Sequence, residues 1–143
     1  MMSNVTHTYL GFDFGTKRIG IAVGQDVTKT AKPLKNINAK AGVPDWKEII
    51  QLVRQWSPTA LIVGIPYNMD GSEQATTLLA RAFAKQLAHH TQLTVHEVDE
   101  RLSTVAAREH VFERRGYKGL QETAMDAVAA QMILEGWMAE REK

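Results

Sequence analysis

The sequence contains no cysteine, and this absence excludes two kinds of site. Neither a disulfide framework nor a zinc site made of thiolates can form in these 143 residues. A chain without disulfides is typical of a reducing compartment, so we expect a cytoplasmic protein.

Long hydrophobic runs are also lacking. The apolar run 60–63 is far shorter than the ~20 residues that a membrane-spanning helix needs, and the first seven residues lack the basic and apolar regions of a secretory signal. We therefore expect no membrane partner. With 44% hydrophobic and 23% charged residues, the composition is typical of a globular chain, and the length fits a single domain over residues 1–143.

The net charge of +1 gives no overall preference for a polyanion, but the charges are distributed unevenly. The first basic segment contains Lys17, Arg18, Lys29, Lys32, Lys35 and Lys40. The second contains Arg101, Arg108, Arg114, Arg115 and Lys118. If the two segments fold together, they form a cationic rim of the kind that binds a phosphate backbone. The alternative is that these are ordinary solvated surface charges.

The order of predicted elements indicates an α/β fold with a mixed sheet. Short runs rich in β-branched and apolar residues predict strands at Thr8–Phe14, Arg18–Gly24, Pro33–Ile37, Ala60–Ile65 and Leu93–Val98. Capping residues and helical periodicity predict helices after Asp45, over Glu73–His90 with Ser72 as its cap, from Ser103 to Arg114, and over Glu122–Glu140.

Acidic residues stand at three places where a carboxylate is unfavourable unless it has a partner. Asp13 lies between Phe12 and Phe14 in the first predicted strand, and Asp126 lies on the apolar stripe of the last helix. Asp99 and Glu100 follow the last predicted strand; because side chains alternate along a strand, we expect one of the two to face the others.

Carboxylates that converge from three elements are the oxygen ligands preferred by Mg²⁺ or Mn²⁺. For each acid taken alone, a structural role in an ion pair or a helix cap is the favoured explanation. Taken together, they favour a metal site in which the cation relieves the repulsion between the carboxylates.

Four motifs resemble those of the YqgF family, also called RuvX, in order and spacing over nearly the whole chain. They are GFDFGTKRIGIAV at 11–23, IVGIP at 62–66 with NMDG at 68–71, DERLST at 99–104, and DAVAA at 126–130. The resemblance implies an RNase H-like fold: a mixed five-stranded sheet, its first three strands antiparallel and the later ones parallel, flanked by helices and related to the RuvC-type Holliday junction resolvases.

The resemblance further implies a nuclease that acts on the 5′ end of pre-16S ribosomal RNA, or, in an older proposal, a Holliday junction resolvase. Asp13, Glu100 and Asp126 would be the catalytic acids and the ligands of Mg²⁺ or Mn²⁺. Two departures from the resolvase pattern stand out. The run Ala60–Ile65 contains no acid, and Thr123 replaces an acid one helical turn before the last one.

For a phosphodiester substrate, two cations ~3.5–4 Å apart would activate water and stabilise the leaving oxygen, without a protein nucleophile. Lys17, Arg18, Arg101 and Asn68 are the candidates for contacts near the scissile phosphate. We expect Arg108, Arg114, Arg115 and Lys118 to bind the flanking backbone. The partner would be nucleic acid, either pre-16S rRNA or a DNA junction, bound by a monomer or a weak homodimer.

Two functions of other classes remain: nucleotide binding, and RNA binding without catalysis. The sequence DFGTK at 13–17 resembles the phosphate-binding hairpin of actin-like ATPases and sugar kinases, but those proteins close two such domains around ATP. The second is an RNA-binding module without catalysis, which the reduced set of acids also permits.

Overall fold

A computed structural model describes residues 6–102 and 122–141, except for the side chains of residues 102 and 122–126. The predicted helix between Ser103 and Arg114 lies outside these residues.

The strands form one mixed sheet in the order β4-β3-β2-β1-β5-β6. Their bounds are β1 Thr8–Asp13, β2 Arg18–Gln25, β3 Thr30–Lys40, β4 Val43–Pro44, β5 Ala60–Ile65 and β6 Thr94–Asp99. The first four strands pair antiparallel, whereas β1–β5 and β5–β6 pair parallel. The predicted mixed sheet is therefore confirmed.

The sheet has six strands rather than the predicted five, and the third strand is longer than predicted. After β3, Ala41 and Gly42 take positive φ angles of 50° and 85°, which reverse the chain so that β4 pairs with the end of β3. A two-residue strand that contains a proline gives no periodic signal, so sequence patterning missed it.

The helices are α1 Trp46–Trp56, α2 Ala75–Thr91 and α3 Glu122–Glu140. Asp45 caps α1 as predicted, accepting a hydrogen bond from the backbone N–H of Lys47 at 3.1 Å. The predicted start of α2 was wrong: Gln74, not Ser72, is its N-cap. Ser72 instead donates its backbone N–H to Asp70 at 2.9 Å, which keeps it in the preceding loop.

The two faces of the sheet are covered by different helices. Leu10 and Phe12 of β1 belong to the same buried cluster as Phe83 of α2 and Ile49 of α1. On the other face, Tyr9 packs edge-on against Trp137 of α3, with ring centroids 4.9 Å apart. Because β1 is covered on both faces, an acid at its end is held in a fixed position.

None of the helices in the described part of the chain is both long and apolar enough to cross a bilayer.

Candidate active site

Asp13 is the last residue of β1 and is 8% exposed. Side chains alternate along a strand, so Asp13 faces the same side of the sheet as Gly11, two residues earlier. That side is covered by α3, because a Cβ on Gly11 would lie 2.9 Å from the Cβ of Leu134 and 3.1 Å from the carbonyl oxygen of Ala130. The carboxylate therefore lies at the C-terminal end of β1, on the α3 face.

Glu100 reaches the same place from β6. It begins a short 3₁₀ turn, Glu100–Leu102, directly after the strand. Its Cγ lies 3.0 Å from the position that a Cβ on Gly64 would occupy, and Gly64 pairs with Asp13 across β1 and β5. Paired residues of neighbouring strands face the same side of a sheet, so Asp13 lies on one side of Gly64 and Glu100 on the other. Glu100 Cγ and Ile133 Cδ1 occupy the space that a side chain at Gly64 would take.

Asp99 is directed elsewhere. It pairs with Ile65, a member of the cluster on the α1–α2 face, so the alternation separates it from Glu100. Its carboxylate accepts bonds from the Arg101 backbone N–H at 2.9 Å and from Nη2 at 2.7 Å. These hydrogen bonds from Arg101 hold the pKa of Asp99 below its usual value. Of the two acids that sequence patterning left open, it is Glu100 that lies against Gly64, the partner of Asp13 in the sheet.

The backbone of α3 brings Asp126 toward the same end of the sheet. The contacts on β1 pass from Trp137 at Tyr9 to Ala130 and Leu134 at Gly11, so the helix runs antiparallel to the strand. Asp13 lies two residues after Gly11 on β1, and residue 126 lies one helical turn before Ala130 on α3.

The loop after β5 closes another side of the site. Asn68 donates its side-chain amide to Ser72 Oγ at 2.9 Å, and its carbonyl accepts from the Gly71 N–H at 2.9 Å. Arg101 Nη1 donates to the Met69 carbonyl at 3.3 Å. The Asp99–Arg101 pair therefore holds this loop while it fixes the backbone on both sides of Glu100.

Of the predicted basic residues in the described part of the chain, Lys17, Arg18 and Arg101 lie at this end of the sheet. Lys29, in the β2–β3 turn, lies at the opposite end, so the predicted rim does not include it. Lys17 is exposed in the β1–β2 turn, Arg18 begins β2, and Arg101 follows β6. Arg101 already bonds to Asp99 and Met69, so it joins the end of β6 to the loop after β5. The predicted contacts Arg108, Arg114, Arg115 and Lys118 lie outside the described residues.

Sequence reasoning missed two residues near this site, Gly64 and Tyr67. The missing side chain of Gly64 leaves room for Glu100 and Ile133 beside β5, and a glycine inside an apolar strand was the available signal. Tyr67 lies between two guanidiniums, with its ring centroid 5.5 Å from Arg81 Cζ and 5.6 Å from Arg101 Cζ. No sequence pattern indicated this arrangement, because the three residues come from different elements.

The chemistry of Asp13 and Glu100 fits a hard divalent cation, since both supply carboxylate oxygens. No group of three or more potential metal ligands occurs among the described residues, which do not include the side chain of Asp126. The structure therefore places two acids on either side of Gly64, with the backbone of a third acid approaching from α3.

A mixed sheet of this topology, with helices on both faces and acids at the ends of β1 and β6, defines the RNase H-like class of α/β proteins. Among solved structures, the chain is similar to Thermus thermophilus RuvC in complex with a Holliday junction substrate. The TM-score is 0.59 at 19% identity, covering 95% of this chain and 96% of that one. It is also similar to the fowlpox virus resolvase in complex with Holliday junction DNA, with a TM-score of 0.56, 12% identity and coverage of 95% and 99%.

Sequence comparison identifies the family within this class. A family model named RuvX, described as Holliday junction resolvase, matches residues 7–140. A protein of Legionella pneumophila (strain Lens) is 54% identical over 134 residues, which are 94% of this chain and 96% of that protein. A protein of Proteus mirabilis (strain HI4320) is 49% identical over 136 residues, or 95% and 96%. Both carry the name "Putative pre-16S rRNA nuclease". The chain belongs to the RuvX family.

Proposed function

We propose that this chain is a metal-dependent nuclease that hydrolyses phosphodiester bonds in RNA, with the 5′ end of pre-16S rRNA as its substrate. The observation that carries the proposal is the placement of Asp13 and Glu100 on either side of Gly64 at one end of the sheet. The names of relatives about 50% identical support the substrate.

Asp13, Glu100 and Asp126 would hold Mg²⁺ or Mn²⁺. When two such ions are bound, they lower the pKa of a water molecule and neutralise charge on the leaving oxygen. The protein's own contribution is to keep the carboxylates close together and partly buried. Their mutual repulsion then disfavours the metal-free state and favours cation binding.

Substrate contacts would come from the rim around the acids. Lys17 and Arg18 would contact phosphate oxygens, and the loop that contains Asn68 is held in one conformation by its internal hydrogen bonds. Arg101 would act through Asp99 and the loop, and Arg108, Arg114, Arg115 and Lys118 would bind backbone further along. We propose that the protein acts as a monomer or a weak homodimer.

The test is cleavage of a 5′-labelled pre-16S rRNA fragment with Mn²⁺ or Mg²⁺ by the wild-type chain and two variants. Asp13→Asn and Glu100→Gln should each lower the cleavage rate at least ~100-fold while RNA binding is retained, because each removes stabilisation of transition-state charge. Glu97→Gln is the matched control: Glu97 lies on β6, the strand that precedes Glu100, is exposed and approaches Arg81 on the other face. Equal rates for all four proteins would refute the proposal.

The same assay addresses two alternatives. The description of the family model favours a Holliday junction resolvase as the second candidate, so a labelled four-way DNA junction is assayed in parallel. Faster cleavage of the junction than of the RNA would identify the DNA junction, and not the RNA, as the preferred substrate. Tight RNA binding without metal-dependent cleavage of either substrate would identify a non-catalytic RNA-binding module.

A further inference from the structure

A cavity lies at the opposite end of the sheet from Asp13 and Glu100. Its volume is about 430 Å³, and it is lined by the first residues of β1, β5 and β6, the β2–β3 turn and the end of α3. This size falls within the range of small-molecule pockets, ~300–1,000 Å³. Tyr9 lines the cavity and Asp13 belongs to the acidic site, four residues further along β1. The cavity and the acidic site are therefore about 13 Å apart.

Aromatic rings form one wall of this cavity. Trp137 is half-buried, with the ring of Tyr9 edge-on at 4.9 Å and the ring of His96 tilted at 5.1 Å. Their contacts hold the indole in one orientation. A fixed indole at the edge of a water-accessible cavity offers a surface on which a flat aromatic ligand can stack.

Cationic groups stand beside these rings. Arg141 places its guanidinium 4.6 Å from the centroid of the Trp137 ring, and Lys29 lies in the β2–β3 turn with Nζ 3.2 Å from the Asp26 carbonyl oxygen. The lining also includes the carboxylate of Asp26, which accepts the backbone N–H of His7 at 3.0 Å. Aromatic surface with adjoining Lys and Arg is the combination that binds a nucleobase and its phosphate together.

We propose that this cavity binds one nucleotide, with the base against Trp137 and His96 and the phosphate between Lys29 and Arg141. The nucleotide can be free or can be an unpaired residue of a single strand. In the second case the inference rests on the proposed nuclease function. A single strand could reach from the cavity to the acids, since about four stacked nucleotides at 3.4 Å each span the distance.

The experiment follows the full-length protein by NMR in EDTA, so it requires no metal and no cleavage. The Trp137 indole N–H signal, assigned with Trp137→Phe, is monitored during titration with UMP, with a tetra-uridylate and with inorganic phosphate. We expect UMP and the tetranucleotide to shift this signal, and phosphate alone to leave it in place.

Two charge-matched double variants locate the binding. Lys29→Ala with Arg141→Ala removes two exposed cations at the cavity and should weaken nucleotide binding at least about tenfold. Lys47→Ala with Arg54→Ala removes two exposed cations of α1 and should leave binding unchanged. Equal weakening by both pairs, an unmoved indole signal, or binding of phosphate as tight as that of UMP would overturn the proposal.

The two nucleotide sources give different results. A tetranucleotide bound at least tenfold more tightly than UMP identifies a strand of RNA, whereas equal affinities identify a free nucleotide. Because binding is read without metal, loss of the nuclease hypothesis in the cleavage assay would leave this result standing. If the protein cleaves RNA but the Trp137 indole signal does not respond to nucleotide, the proposed nucleotide site is refuted and the proposed nuclease function is not.

Discussion

Gly64 decides how closely Glu100 and Ile133 can approach β5 beside Asp13. A Cβ at this position would lie 2.4 Å from Ile133 Cδ1 and 3.0 Å from Glu100 Cγ. Neither distance is compatible with ordinary packing, so one of these side chains would have to move. The absence of a side chain at Gly64 is thus a requirement of the site.

Gly64→Ala should therefore reduce metal-dependent cleavage and destabilise the fold by about 1–3 kcal/mol, the usual effect of overpacking. Adding Ile133→Val removes the Cδ1 atom that meets the new methyl group and should restore most of the stability. We expect cleavage to stay low in the double variant, because the contact with Glu100 remains. Urea denaturation and the RNA cleavage rate measure the two effects, and full recovery of cleavage would show that Glu100 had not moved.

The Asp99–Arg101 pair gives a pH-dependent contribution to stability. Folding lowers the pKa of Asp99 because Arg101 hydrogen-bonds to the ionised carboxylate. The pair therefore stabilises the native protein above the ordinary titration range of an aspartate, and this contribution disappears as pH falls through the native pKa. Asp99→Asn should lower the Tm at pH 7, and the difference from wild type should shrink as pH falls below the ordinary titration range of an aspartate. A difference of constant size across this range would contradict the prediction.

Residue roles could be derived from the sequence only as far as local patterns extend. An acid beside two phenylalanines in a predicted strand was enough to single out Asp13, and alternation was enough to say that Asp99 and Glu100 diverge. Which of the two acids lies on the Asp13 face of the sheet depends on the pairing of Ile65 with Asp99. A pairing between residues 34 positions apart in the chain leaves no local signal.

At the scale of elements, the position of α3 on β1 determines where the third acid lies. Gly11 allows the helix to approach closely, since a Cβ there would meet Ala130 O at 3.1 Å and Leu134 Cβ at 2.9 Å. Both atoms belong to the rigid part of the helix, so relief requires movement of α3 itself.

Gly11→Ala should accordingly destabilise the protein by about 1–3 kcal/mol and shift α3 relative to the acids of the sheet. We expect a larger loss of cleavage than of RNA binding, because the rim of basic residues on the β1–β2 turn stays in place. Urea denaturation and anisotropy of labelled RNA provide the two measurements. If the Gly11→Ala variant keeps both the stability and the cleavage rate of the wild type, then α3 does not set the geometry of the acids.

Elements with strong periodicity were predictable and those fixed by tertiary contacts were not. The bounds of β5 and of α3 match the predicted ones, because apolar runs and a long helical pattern define them. The start of α2 depends instead on buried Thr77, which accepts the N–H of Gln74 and donates its hydroxyl to the Pro66 carbonyl. That contact ties the helix to the end of β5, and a capping rule based on Ser72 alone misses it.

For the molecule as a whole, charge distribution should matter more than net charge. The net charge is only +1, yet Lys17, Arg18 and Arg101 lie at the end of the sheet that holds the acids. If this end binds the phosphate backbone, the logarithm of RNA affinity should fall linearly with the logarithm of salt concentration, with a slope of about −0.7 per phosphate contact on a single strand.

Lys17→Ala should weaken RNA binding and make that slope shallower by about 0.7, the loss of one contact. Arg54→Ala changes the net charge equally, but Arg54 lies in the last turn of α1, near the opposite end of the sheet, so the slope should stay at the wild-type value. Fluorescence anisotropy between about 50 and 200 mM KCl measures both. Equal slopes for the two variants would mean that RNA responds to the total charge of the protein, and the cationic rim would then have no role in orienting the substrate toward Asp13 and Glu100.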